Sequence, residues 1–90
     1  MSQVIADPED LRRFSAELKR FNDQLRESTA RLNAQFTRLG NTWRDQEYQK
    51  FAQEFTQTMR ALQRFMHTFD EHIRFLSRKI NILEEYKELG

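Results

Sequence analysis

The second half of this chain carries two interleaved apolar rows, each with a spacing of seven. Tyr48, Phe55, Leu62, Phe69, Leu76 and Leu83 form one row; Ala52, Met59, Met66, Ile73 and Ile80 form the other. Seven residues bring an α-helix back to nearly the same side after two turns, so paired rows of this kind make one continuous stripe along one helix. Nothing about them suits a strand, whose apolar residues alternate. Between Thr42 and Leu89 there is no Gly or Pro to interrupt the run. The repeat predicts a helix over about residues 45–87, roughly 65 Å long at ~1.5 Å per residue.

A second, shorter helix is expected upstream, over about residues 8–39. Asp7-Pro8-Glu9-Asp10 is a strong start: Asp7 caps, Pro8 takes the first helical position, and two acids face the positive end of the helix dipole. Its apolar seam reads Leu11, Phe14, Leu18, Phe21, Leu25, Leu32 and Leu39, with a gap at Ser28 and a shift at Phe36. Glu9–Arg13, Glu27–Arg31 and Asp70–Arg74 are acid-before-base pairs at the spacing that supports a helix. The turn is expected at residues 40–44. Gly40 suits the left-handed position after a helix, Asn41 begins the turn, and Thr42 caps the second helix with Asp45 as the acid of a capping box.

So short a connection makes the helices antiparallel neighbours, and the fold class is all-α, a helical hairpin. Residues 1–90 read as one domain. Folding back at about Asn41 sets Phe36 near Tyr48, Leu25 against Met59, Leu18 against Met66 and Leu11 against Ile73. Helix two is the longer, so Ile80, Ile82, Leu83 and Tyr86 overrun the start of helix one, with only Val4 and Ile5 to cover them. Eight Phe residues occur in a chain that is only 38% hydrophobic and 32% charged. Two helices bury one stripe each, and Phe51, Phe65, Phe75 and Tyr86 lie off that stripe. The surplus predicts a second hairpin and a four-helix bundle. The interface candidates are Phe14, Phe21, Leu25, Phe51, Met59, Phe65, Met66 and Phe69, with Trp43 at the tip.

Composition narrows function by exclusion. There is no Cys, hence no disulfide framework and no thiolate metal site. Two Gly and one Pro are too few for a many-turned β fold or a phosphate-cradling loop. Net charge is +1. Eleven of the fifteen basic residues are Arg, and Arg12, Arg13, Lys19, Arg20 and Arg26 could line helix one, with Arg60, Arg64, Arg74, Arg78 and Lys79 on helix two. Acids are interleaved with them nearly everywhere, whereas phosphate binding needs an unpaired basic patch, so a nucleic-acid partner is not expected. His67, Asp70, Glu71 and His72 are the one cluster of ligand types. His67 and Glu71 share a face, but no third ligand presents itself, and a surface role is expected for them. His72 is expected at the rim of a helix–helix seam. No Ser stands beside a His, and a slim hairpin has no deep pocket, so neither catalysis nor a cofactor is expected. No window approaches the ~20 apolar residues of a membrane span, and no basic stretch precedes an apolar run of signal-peptide length. The expectation is a protein made in the cytoplasm that leaves, if it does, without a cleavable leader.

Trp43 is the single Trp, and it stands between two long helices. There it acts as a lid on the end of the bundle or as a recognition knob. With Leu39-Gly40-Asn41-Thr42-Trp43-Arg44-Asp45 ahead of Tyr48, Phe51 and Phe55, the chain resembles the WXG family, small substrates of type VII (early secreted antigen) secretion systems. The family pattern has Leu a few residues before the Trp and Phe about eight after it, as here. Two positions depart from the pattern. Asp45 stands where the family has the motif Gly, and Tyr86 is followed four residues on by Gly90 where the family's secretion signal has an acid. The resemblance implies a non-enzymatic effector or adaptor acting as a homodimer, or as a heterodimer with a similar hairpin. A secretion ATPase or a toxin is the further partner it implies. An intracellular coiled-coil scaffold and a small nucleic-acid-associated helical protein are the alternatives.

Overall fold

A computed structural model describes residues 6–89. Two helices, α1 (Pro8–Thr42) and α2 (Gln46–Leu89), lie side by side as an antiparallel hairpin. The molecule measures 68 × 20 × 14 Å, so it is one helix thick and two wide. Val4 and Ile5, expected to cover the end of helix two, and Gly90 lie outside the described residues.

The start of α1 follows from its sequence. The Asp7 carboxylate accepts the Glu9 N–H at 3.0 Å, and Pro8 opens the helix where its missing N–H costs nothing. The other end differs from the expectation. Gly40, Asn41 and Thr42 are helical, and Gly40 has no positive φ. Trp43 is the C-cap, its N–H donating to the Leu39 carbonyl at 2.9 Å. Thr42 caps nothing; its hydroxyl donates back to the Leu39 carbonyl. Asp45 is itself the cap of α2, accepting the Glu47 N–H at 3.0 Å, so the turn is Trp43-Arg44-Asp45. Gly40 is needed for a different reason than a turn. A Cβ there would stand 2.7 Å from the Tyr48 hydroxyl, so the glycine lets the Tyr48 ring close over the helix end.

Because α1 runs on to Thr42, the fold-back moves toward the C-terminus and the register shifts. Phe36 meets Tyr48 as expected, with ring centroids 6.2 Å apart, but it also packs on Phe55 at 4.6 Å. Farther along, the residue that reaches Met66 is Asn22, not Leu18, a displacement of about one helical turn. The start of α1 therefore lies deeper along α2. Arg12 pairs with Glu84, and Ile80, expected to be uncovered, is buried.

The rotation of α1 also differs from the expected seam. Pro8, Ser15, Asn22, Thr29, Phe36 and Trp43 form a row at a spacing of seven, and each is buried or half-buried. Leu11, Leu18 and Leu25 flank it and are half-buried. On the far side of these leucines, Phe14 is 59% exposed and Phe21 53%. The inner row of α1 is thus largely small and polar. Against it α2 places Met59 and Met66, the latter only 3% exposed.

Among the described residues Asn22 is the most buried side chain, at 1% exposure. Its Nδ2 donates to the Met66 carbonyl at 3.2 Å and to Asp70 Oδ1 at 3.0 Å. Asp70 Oδ2 accepts from Arg26 at 3.1 Å. A single buried amide tied to two groups on the neighbouring helix discriminates between registers, since sliding by one turn would strand it in an apolar seam. Asp70 is therefore drawn toward α1 and away from the expected partner Arg74. The other expected pairs also give way to closer ones: Arg12 takes Glu9, Arg13 takes Asp10, and Arg31 donates to Ser28. Solvated pairs of this kind contribute at most about 1 kcal/mol each.

Candidate protein-docking face and the hairpin tip

On α1, Phe14, Phe21, Leu32 and Leu39 fall in one narrow sector, because steps of seven and eleven residues are close to two and three whole turns. All four are exposed. On α2, Phe51 and Phe65, 57% exposed, stand in the corresponding sector. Between the helices the apolar surface dips into two open grooves. One, of about 250 Å³, is lined by Phe14, Leu18, Phe69, His72, Phe75 and Leu76. The other, of about 260 Å³, is lined by Leu32, Gln35, Phe36, Leu39 and Phe55. Phe21 meets Phe69 edge-on at 5.7 Å between them. One face of the hairpin is thus an apolar strip over much of its length. Exposed apolar strips of such extent are uncommon on monomeric proteins and mark contact surfaces.

The sequence-derived interface candidates divide on this geometry. Phe14, Phe21, Phe51 and Phe65 stand open on the strip. Leu25 and Phe69 are half-buried at its base. Met59 and Met66 are buried between the two helices of the same chain. Leu32 and Leu39, read in the sequence as intrachain seam, are exposed on the strip. Phe75, Ile82 and Tyr86 are exposed toward the far end of α2.

The ligand-type cluster is dispersed. His67 lies 3.7 Å from Glu71, both well exposed, while Asp70 turns inward to Asn22 and Arg26. His72 stands in the first groove with its ring 6.5 Å from that of Phe69. Among the described residues no group of three or more His, Cys, Asp or Glu is placed to hold a metal ion. Of the basic residues of α1, the five that could have lined a phosphate-binding face, Arg12, Arg13, Lys19, Arg20 and Arg26, all pair with carboxylates. Among the described residues no helix is long and apolar enough to cross a membrane.

At the tip, Trp43 is half-buried. Its ring packs edge-on to Tyr48 at 5.5 Å and tilted on Phe51 at 5.4 Å, and Phe36 stacks on Tyr48 from below. The indole N–H donates to Asp45 Oδ1 at 2.8 Å. The sole Trp therefore sits in a three-residue turn between two long helices, followed two residues later by an acid. The WXG100 family, described as proteins of 100 residues with WXG, matches residues 3–85. The chain belongs to the WXG100 family. No curated protein and no solved structure matches it. WXG100 proteins are small, non-enzymatic, secreted helical proteins of type VII systems, and they typically dimerise. In this member the motif reads Trp43-Arg44-Asp45. The helical reading and the family resemblance of the sequence both hold.

Proposed function

We propose that this chain acts by binding alone: its Phe strip docks on a second helical hairpin, a copy of itself or a similar chain, to complete a four-helix bundle. The observation that carries this reading is the open strip of Phe14, Phe21, Leu32, Leu39, Phe51 and Phe65. Large apolar side chains gain about 1.5–3 kcal/mol each on full burial, and a hairpin only 14 Å thick has no interior left to receive them. Among the described residues the buried apolar core is Met59, Met66 and Ile80, a thin core for two helices of this length. Completing the bundle supplies the missing one. The interface would centre on Phe14, Phe21, Phe51, Phe65 and Phe69, with Leu25 at its base and Met59 and Met66 supporting it from within. Family membership supports export through a type VII system in this paired form, with the system's ATPase or a toxin as the further partner.

Sedimentation equilibrium and thermal melts over a concentration series test the self-pairing form. A dimer whose melting temperature rises with protein concentration is expected. A chain that stays monomeric at high concentration, and also fails to shift when mixed with hairpin proteins encoded beside it, would sink the docking reading. Recovery of the chain from culture filtrate only when the secretion ATPase is intact tests the export reading separately.

A further inference from the structure

Asp45 occupies the place of the motif glycine, and in this chain it has side-chain work that a glycine could not do. A single oxygen, Oδ1, accepts two hydrogen bonds. One comes from the Glu47 N–H at 3.0 Å and caps the first turn of α2. The other comes from the Trp43 indole N–H at 2.8 Å. The backbone of Trp43 belongs to the other helix, where its N–H closes the last turn of α1 on the Leu39 carbonyl. The C-cap of α1 and the N-cap of α2 are thus joined through one indole and one carboxylate.

We infer that Asp45 is the positioning residue for Trp43: it holds the indole in one pose at the hairpin tip through a hydrogen bond anchored on the cap of α2. Aromatic contact alone does not define that pose. The ring lies edge-on to Tyr48 and tilted on Phe51, and such contacts tolerate sliding and rotation of the ring. A hydrogen bond from Nε1 to an oxygen that is itself oriented by the Glu47 N–H fixes the remaining rotation. Charge assistance makes this bond shorter and stronger than one to a neutral acceptor. Trp43 is half-buried, beside an open depression lined by Gly40, Trp43, Arg44, Asp45, Tyr48 and Gln49. With glycine at position 45 the indole N–H would turn to water and the first turn of α2 would lose its side-chain cap. Asp45 is then a replacement that preorganises the family tryptophan. The inference stands on tip geometry and does not depend on dimerisation.

Because Trp43 is the only Trp, its fluorescence reports the tip without labelling. Time-resolved anisotropy and acrylamide quenching are compared for the full-length wild type, Asp45→Gly, Asp45→Asn and Asp45→Ser, with helicity followed by circular dichroism. In the wild type the indole is expected to tumble with the whole molecule. Asp45→Gly should add a nanosecond local component and raise the quenching constant about twofold, at unchanged helicity; side-chain motion of that kind belongs to the ps–ns range. Asp45→Asn keeps an acceptor oxygen in place and should restore most of the wild-type anisotropy. Asp45→Ser is a second cap-competent variant whose hydroxyl is too short to reach the indole; it should keep helicity and lose the restraint. An Asp45→Gly indole as immobile and as shielded as the wild type would overturn the inference. So would an Asp45→Asn indole as mobile as that of Asp45→Gly.

Discussion

The two sides of the α1 leucine row have opposite chemistry, and the helix hides the side that looks less hydrophobic. The side turned to α2 carries Ser15, Asn22 and Thr29; the side turned outward carries Phe14 and Phe21. If the hairpin existed only to bury its own apolar surface, the phenylalanines would face in. Instead the intrachain contact is narrow, with a buried amide setting its register, and the large phenylalanines are left exposed. Small and polar side chains bring the two helices together along the middle of α1, while Phe14 and Phe21 stay open to solvent.

Substitutions on the two sides should therefore separate stability from association, and the largest effect is expected on the inner one. Met66→Ala should destabilise the hairpin by about 3 kcal/mol, as large-to-small changes at fully buried positions do, measured by urea titration at fixed protein concentration. If this variant unfolds no more easily than the wild type, the seam between α1 and α2 is not where the structure puts it. On the outer side, Phe21→Asp or Phe65→Asp should weaken pairing by about tenfold or more per site, the equivalent of ~1.4 kcal/mol or above. Helical content at high concentration should stay near that of the wild type. Equal loss of helicity and pairing would erase the distinction between the two sides.

Smaller effects sharpen the comparison. Gly40→Leu should cost roughly 2 kcal/mol by overpacking against the Tyr48 ring, and the loss should appear as a change in Trp43 emission, because Tyr48 lies against that indole. Asn22→Ala should cost about 1 kcal/mol. It removes the bonds to Met66 and Asp70 but also a buried Oδ1 that has no partner among the described residues. Distance measurements between labels on Gln24 and Gln63 should show a broader register distribution in that variant. At the small end, Glu17→Gln removes the exposed pair with Arg20 and should change stability by less than ~0.5 kcal/mol.

Much of this architecture was legible from residue spacing. The two helices, the Asp7-Pro8 start, the tip contact of Phe36 with Tyr48 and the surplus of aromatics follow from local rules and helix periodicity. The turn lies a few residues beyond the expected one because Gly40 reads equally well as a helix terminator and as a small residue under a ring. With Gly40 helical the register beyond the Phe36–Tyr48 contact shifts by about one turn, and Asn22 stands at Met66 where Leu18 is expected. The Asn22 row is silent in apolar periodicity because Ser, Asn and Thr carry no apolar signal, although they recur at the same spacing of seven.

By itself the sequence determines which residues share a side of each helix, since 3.6 residues per turn leaves no freedom once the helix forms. It also determines that the chain bends once, near Trp43, and that its apolar side chains exceed what two helices cover. Rotation and sliding of one helix against the other belong to the tertiary structure. Neighbouring rows on a helix differ by only a fraction of a turn, and several rotations bury similar area. The choice among them falls to a few specific contacts: the Asn22 amide between Met66 and Asp70, Phe36 on Phe55, and the Tyr48 ring over Gly40. Hydrogen bonds and close fits depend on distance and direction in a way that apolar burial does not, so they decide what periodicity leaves open.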